Sequence, residues 1–381
     1  MKCHHCHAET EKSARFDVLE AGVTSDCRPW KDEIRILVCP TCGAVQAPID
    51  EEWRRSVQSI YRDYDTYAAA GGEEQKVTGA DAEGMSARSR VIVEWLASLG
   101  TVPASGEILD VGCGRGAFLR EFGRQFPGWA LSGTEFDDRN LGDLQSLPKW
   151  KHLQTAGFQD LVGQYDVISM IHVLEHIEDP VACLAALRKR ACSGALLLVQ
   201  VPDWTENPFA LAIADHATHF ASGVLQQVAR KAGWDPVSPP SHVVPKELTL
   251  LARAADIGGG SVGEVDEMAD LRLKERLVWL RGVKHQAQQI RAGSDKFGIF
   301  GTAVAGSWLA GACNIKVDFF VDEDPNRIGG KHLGIPILSP SDAPLGANVF
   351  VGMAPAVSKR LAEKYSGAPA RFHAVNAISA L

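Results

Sequence analysis

Apolar and polar positions in this chain switch repeatedly between the two-residue period of a strand and the 3.6-residue period of a helix. "EIRILVC" at 33–39 alternates as a strand does. In "DEEWRRSVQSIYRDYDTY", Trp53, Val57, Ile60 and Tyr64 share one helical face, and Tyr61, Tyr64 and Tyr67 crowd its end. "AAAGGEEQKVTGADAEG" then reads as a mobile connection. From "MSARSRVIVEWLASLG" onward the pattern is helix, strand, glycine turn, helix and strand, continuing through "ALSGTEFDD", "YDVISMIHVLEHIEDP", "ALLLVQVP" and "KELTLLAR". Strands alternating with helices predict a mostly parallel sheet covered on both faces. The glycine-rich "DIGGGSVGEV" reads as a linker. A long helical pattern follows, and then a fresh strand-turn-helix, "KFGIFGTAVAGSWLAGAC", with the strand "KVDFFVDEDP" behind it. The expected organisation is a module at 1–75, a central α/β domain at 76–255 and a smaller α/β domain at 256–381.

Composition narrows the class. The 381 residues suit two or three cores. A net charge of −8 argues against a polymer of phosphates as substrate. No run of about 18 apolar residues is present, and the start of the sequence lacks an apolar signal core, so a cytoplasmic protein is expected. Thiols stay reduced there, and nine cysteines then point to metal ligands and buried thiols. Cys3 and Cys6 form one pair with a two-residue gap, and Cys39 and Cys42 form another. Each gap lets one tight turn offer two thiolates to one metal, so the four are expected to bind a structural zinc. A redox couple is the alternative, but the helix start that a thioredoxin-like pair requires is missing. His4, His5 and His7 are then bystanders. Segment 1–75 carries no basic run interleaved with aromatics, which favours a structural role over RNA binding.

"ILDVGCGRG" carries the strongest chemical signal. An apolar strand ends at Asp110, and Gly112, Gly114 and Gly116 precede a helix, where free N–H groups face an anionic ligand group. Glu135 closes the next strand, where an acid can accept both hydroxyls of a ribose. Together with "YDVISMIHVLEHIEDP", these elements resemble the class I S-adenosylmethionine-dependent methyltransferases over residues 85–252. The resemblance implies a Rossmann-like core in which Asp110, Gly112, Gly114 and Gly116 border the methionine end. Glu135 would hold the ribose, and Phe136, Gly157 and Phe158 would flank the adenine. Ile171 and His172 would line the donor near its sulfonium. Glu175 and His176 either pin the loop after the strand or take part in the chemistry.

The acceptor side is expected at "ADHATHF", where Asp215, His216 and His219 follow a strand. A proton leaves most methyl acceptors, and His216 or His219 would take it, with His172 and Glu175 nearby. Capping histidines or a metal pair are the other readings of these residues. "GIFGTAVAG" with "FFVDEDPNRIGGKHLGIPIL" resembles the C-terminal domain of sugar C-methyltransferases of deoxysugar biosynthesis. That family has a cysteine zinc module, a methyltransferase core and a second Rossmann-like domain in this order. The likeness implies a nucleotide-linked sugar held between domains, near Gly301, Gly306 and Asp322. Methylation of a keto-sugar would pass through an enolate, and Tyr61, Tyr64, Tyr67 or a histidine would donate a hydrogen bond to its oxygen. The family's Tyr-x-Glu-His pattern reads Ile213-Ala214-Asp215-His216 here, and its second tyrosine is His219. That departure leaves O- or N-methylation of a sugar, another small molecule or RNA open, as well as a nucleoside-binding scaffold without catalysis.

Overall fold

The computed structural model describes residues 2–9, 16–62, 64, 74, 76–78, 85–255 and 266–378. Tyr67, most of the glycine-rich connection and the "IGGGSVGEV" linker lie outside these residues.

The centre is a seven-stranded sheet. Its strands run in the order Trp150–Gln154, Ala130–Thr134, Glu107–Val111, Tyr165–Ile171, Ala191–Pro202, Glu247–Ala254 and Trp234–Pro236. The first five are parallel, and the last two join antiparallel. Chain order reverses between Glu107–Val111 and Tyr165–Ile171, so a crevice opens outside their carboxyl ends. The strands are apolar on both faces because helices cover both. Leu119 and Phe122 of helix Ala117–Gln125 pack one side with Ile92 and Leu96 of helix Arg88–Ser98. Leu184 and Leu187 of helix Pro180–Arg188 pack the other with Leu225 and Val228 of helix Ser222–Lys231.

The N-terminal segment builds a small four-stranded sheet from Asp17–Leu19, Ile34–Val38, Val45–Gln46 and Thr218–His219. The last strand comes from the central unit, so the two units share backbone hydrogen bonds. Helix Glu51–Arg62 buries Trp53 and Ile60. It ends earlier than its apolar periodicity suggests, and Tyr64 lies beyond it. Within the expected mobile connection, Lys76–Thr78 pairs antiparallel with Met85–Ala87. The second α/β unit has a six-stranded sheet. Its parallel strands are ordered Ile335–Leu338, Phe319–Val321, Phe297–Phe300, Asn348–Val351 and Arg371–Ala374, with Lys331–His332 added antiparallel at the edge. A common core of Ile34, Phe209, Trp279, Trp308 and Phe320 joins this unit to the N-terminal sheet and the central unit. Trp308 Nε1 donates to the Ala21 carbonyl 2.9 Å away and fixes that junction.

Candidate active site

The donor side follows from the turn after Val111. Gly112, Gly114 and Gly116 all have positive φ, at 70°, 52° and 75°. A Cβ on Gly112 would stand 2.5 Å from Val173 Cγ2, so both conformation and space require glycine there. The turn leads into helix Ala117–Gln125, which brings its N–H groups to the crevice. Glu135, at the carboxyl end of the neighbouring strand, reaches across and accepts from Gly114 N at 2.6 Å. Burial raises its pKa against the pull of that bond. Asp110 is buried beneath the loop and accepts from Ser169 Oγ at 2.7 Å. Burial pushes its carboxyl up to about 7. Its observed partner is therefore the adjacent strand. Phe136 is 85% exposed beside the loop, Gly157 is exposed, and Phe158 is half-buried against the sheet core. Ile171 packs under the end of its strand.

His172 follows directly, with φ 56°. Its Nδ1 lies 3.3 Å from Glu175, and its Nε2 lies 3.0 Å from Glu247, which Arg88 also contacts at 3.0 Å. Burial alone would lower the His172 pKa. The Glu247 carboxylate, helped by Glu175, overcomes this and raises it to about 9. His172 thus holds its proton near neutrality, with Glu175 buried beside it.

The next residue in the loop, His176, is the centre of a second cluster. Its Nδ1 lies 3.0 Å from Tyr61 Oη, 3.1 Å from the Asp215 carbonyl oxygen and 3.4 Å from Asp215 Oδ2. A carbonyl only accepts, so Nδ1 carries a hydrogen. Asp215 is fully buried and accepts from Ser25 N at 2.8 Å and Ser25 Oγ at 2.5 Å. Burial opposes its charge, but His176 and Ser25 hold its pKa below the usual carboxylate range. Burial also opposes charge on His176, and Asp215 outweighs it and raises the pKa. The His216 ring meets His176 edge-on at 4.8 Å. Among the described residues no carboxylate is hydrogen-bonded to it, although a Glu175 oxygen lies within 4.8 Å, and burial first, then the neighbouring histidines, pull its pKa well down. His219 is 6.0 Å beyond His216, with neither ring nitrogen hydrogen-bonded, and burial lowers it to about 4. Tyr64 Oη lies 3.3 Å from Ser25 Oγ and donates to it, because the single Ser25 hydroxyl hydrogen goes to Asp215.

The two sides touch where the Phe136 ring stands 5.8 Å from Tyr61. The second α/β unit approaches from the Ser25 loop. The Cys27 thiol, pushed up to about 12 by burial, feels both Arg327 and Asp215. In that unit Gly301 has φ 88°, and a Cβ on Gly306 would stand 2.1 Å from the Gly301 carbonyl oxygen. Asp322 accepts from Thr302 at 2.8 Å and from Arg327 at 3.3 Å, so its Oδ2 is internally satisfied.

Sequence reasoning reached Asp215, His216 and Tyr61 but ranked His216 and His219 above His176. Of these three, only His176 is paired with a carboxylate, which raises its pKa while burial lowers the other two. Ser25 gave no signal, since a lone serine in a loop has none to give.

At the other end of the N-terminal unit, Sγ atoms lie 3.6 Å apart between Cys3 and Cys42 and again between Cys6 and Cys39. All four lie within 4.8 Å of one another and are unlinked by disulfides. Zinc with sulfur at about 2.3 Å sets its thiolates about 3.8 Å apart, so this donor set fits a tetrahedral ion.

A glycine turn at a helix start, an acid on the next strand and a reversal of strand order define a doubly wound α/β fold, whose crevice lies where such sheets generally take their ligands. Residues 86–238 match the family model described as "Methyltransferase domain". This segment is therefore similar to methyltransferase domains. Among curated relatives, the ubiquinone biosynthesis O-methyltransferase of Psychrobacter cryohalolentis is 26% identical over 120 residues, covering 29% of this chain and 46% of that protein. The enzyme of the same name from Bordetella bronchiseptica is 26% identical over 170 residues, covering 43% and 66%. The chain thus spans about half the length of the first of these relatives. A solved structure of Burkholderia thailandensis 1,6-didemethyltoxoflavin-N1-methyltransferase, with its substrate and S-adenosylhomocysteine bound, is 18% identical and covers 56% of this chain and 96% of that one, with a TM-score of 0.38.

Proposed function

We propose that this chain transfers the methyl group of S-adenosylmethionine to a small acceptor, a nucleotide-linked keto-sugar, held between the central domain, helix Glu51–Arg62 and the second α/β unit. The observation that carries this reading is the pairing of two unlike histidines beside the donor crevice. His176 is made basic by Asp215, and His216 is kept neutral by burial, with ring centroids 4.8 Å apart. A hydroxyl acceptor needs only a base. A carbon acid beside a carbonyl needs a base and a hydrogen-bond donor to the developing oxyanion, and this pair supplies both.

S-adenosylmethionine, when bound, supplies a methyl group already activated on sulfur. Gly112 to Gly116 and helix Ala117–Gln125 would take its methionine end, Glu135 its ribose and Phe136 its adenine. With Nδ1–H turned to Asp215, His176 presents Nε2 to the acceptor, the tautomer that a buried aspartate fixes in other histidine bases. Nε2 takes the proton from the carbon beside the carbonyl. The C–H electron pair becomes the enolate double bond, and the carbonyl pair moves to oxygen. His216, a neutral imidazole, donates its N–H to that oxygen. The enolate carbon then bonds the methyl, the S–CH3 pair stays on sulfur, and His176 gives its proton to water. His172, already protonated, adds positive potential between Glu175 and Glu247.

Cys3, Cys6, Cys39 and Cys42 would hold one zinc ion as a closed, structural site. The order of cysteine module, methyltransferase domain and second α/β unit supports the sugar over other small acceptors. O-methylation of a hydroxyl is the second reading, favoured by the names of the curated relatives.

The test is incubation with labelled S-adenosylmethionine and a panel of nucleotide-linked keto-sugars and their hydroxy counterparts. Methyl gain at carbon in a keto-sugar, lost in His176→Ala while donor binding persists, is the expected result. Methyl gain only at a hydroxyl, or full turnover by His176→Ala, overturns it.

A further inference from the structure

The histidines between the first two cysteines look idle in the sequence. In the structure His5 is 3% exposed and lies in the junction between the cysteine cluster and the acceptor side. Its Nε2 is 3.1 Å from Thr218 Oγ1, and its ring meets Phe220 edge-on at 5.8 Å. Lys231 Nζ donates to the His5 carbonyl at 3.2 Å. Beside it, His4 N donates to Gln46 Oε1 at 3.0 Å, and Gln46 pairs with Thr218 across the shared sheet.

Thr218 lies at the centre of the acceptor segment. Ala217, on one side of it, receives a hydrogen bond at its carbonyl from Ala47 N at 2.9 Å. Ala217 N donates to the Glu175 carbonyl at 2.8 Å, and Glu175 precedes His176. His216, Asp215 and the loop carrying His176 are thus tied to one short strand of two residues. A strand so short has little pairing of its own, so a buried side-chain bond counts for much of its order.

We infer that His5 is a positioning residue for the acceptor site. The cysteine cluster fixes the 3–6 turn, His5 carries that position to Thr218, and the 215–219 segment then sets the His176–His216 geometry. This rests on the reading of His176 and His216 as the acceptor-side pair, but its test uses neither acceptor nor turnover.

The experiment compares the full-length wild type with His5→Ala, His5→Gln and Thr218→Val. It reads amide hydrogen exchange, the ring Cε1–H resonances of His176 and His216, bound metal per chain and S-adenosylmethionine affinity by calorimetry. His5→Ala and Thr218→Val should each raise exchange in 215–219 by about fivefold to tenfold, the range expected for loss of one buried hydrogen bond. Both should move the two histidine resonances, while metal content and donor affinity stay at wild-type values. His5→Gln, whose amide can reach Thr218, should restore exchange and resonances. Thr218→Val decides the matter if His5→Ala fails to fold. Unchanged exchange and resonances in Thr218→Val overturn the inference, as does failure of His5→Gln to restore them. Failure of the acceptor assignment shows separately, as full methyl transfer by His176→Ala.

Discussion

Replacing Asp215 by asparagine tests the electrostatics of the acceptor cluster with the smallest change in shape. Ser25 N and Ser25 Oγ donate to different carboxylate oxygens, at 2.8 and 2.5 Å, so the amide oxygen keeps the bond from Ser25 N while the new NH2 turns to Ser25 Oγ as a donor, and the loop keeps most of its hydrogen bonds. What is lost is the negative charge 3.4 Å from His176 Nδ1 in a buried setting. Removing one partner of a buried ion pair costs about 3–5 kcal/mol, and the retained hydrogen bonds put this case near 3 kcal/mol. At about 2–4 °C per kcal/mol for a unit of this size, the thermal midpoint should fall by about 6–12 °C. The pH dependence gives the sharper check. The folded His176 pKa lies above its unfolded value of about 6.5, so its pairing stabilises fully below that pH and is lost as pH rises through the folded pKa. The Asp215 pKa lies below its usual value, so its share is present above about 3.8 and lost as pH falls through the folded pKa. The difference between wild type and Asp215→Asn should therefore be largest between about pH 4 and 6.5 and shrink toward pH 9. Scanning calorimetry at about pH 6 and pH 9 reads both features. A fall below about 2 °C at pH 6, or equal falls at both pH values, refutes the reasoning.

The donor side, the buried histidine and the cysteine cluster each give a further expectation. Glu135→Ala should weaken S-adenosylmethionine binding at least about tenfold by titration calorimetry, the loss of about 1.4 kcal/mol or more; unchanged affinity removes Glu135 from the ribose. Gly112→Ala should destabilise by roughly 1–3 kcal/mol in urea unfolding, because φ is 70° and the new Cβ meets Val173; a neutral effect would show that the turn relaxes freely. His219 titrates near 4 when folded and about 6.5 when unfolded, so wild type loses up to about 3 kcal/mol from this group as pH falls between those values. His219→Phe should thus move the acid-unfolding midpoint to lower pH, and an unmoved midpoint contradicts the buried neutral assignment. Cys39→Ser should lower bound zinc per chain, read by atomic emission, and unchanged metal content would exclude the four-thiolate site.

The donor crevice was legible in the sequence because its parts are local. Gly112, Gly114 and Gly116 sit on one turn, and Glu135 ends the very next strand, so spacing alone carries the geometry. The apolar runs also placed five strands of the central sheet and two of the second, since buried strands write themselves as continuous hydrophobic segments, whereas edge strands such as Trp150–Gln154 and the later strands of the second sheet were not read. The two-residue strand Thr218–His219 was invisible for the opposite reason. It is too short for a period to show, and its partner strand lies in another unit. Helix Glu51–Arg62 was readable as a helix, but its pattern ran on to Tyr64, which lies past the helix end and meets the Ser25 loop.

The acceptor cluster shows why residue type and basicity separate. His172, His176, His216 and His219 fall within one region of the fold, and free histidine would give all four the same proton affinity. Burial lowers each of them. Carboxylates then lift two: Glu247 and Glu175 act on His172, and Asp215 acts on His176. His216 and His219 have no such hydrogen-bonded partner among the described residues and stay neutral. Of the two raised histidines, His172 is enclosed by its carboxylates on both ring nitrogens, with no nitrogen left for an acceptor. His176 uses one nitrogen on Asp215 and Tyr61 and keeps the other. In the proposed mechanism the choice of base therefore rests on Asp215, whose carboxylate also accepts from Ser25 N and Oγ of the N-terminal unit. In the proposed mechanism, proton transfer depends on a loop of another unit and so responds to how that unit is seated, which is the part we assign to the cysteine cluster, His5 and Thr218.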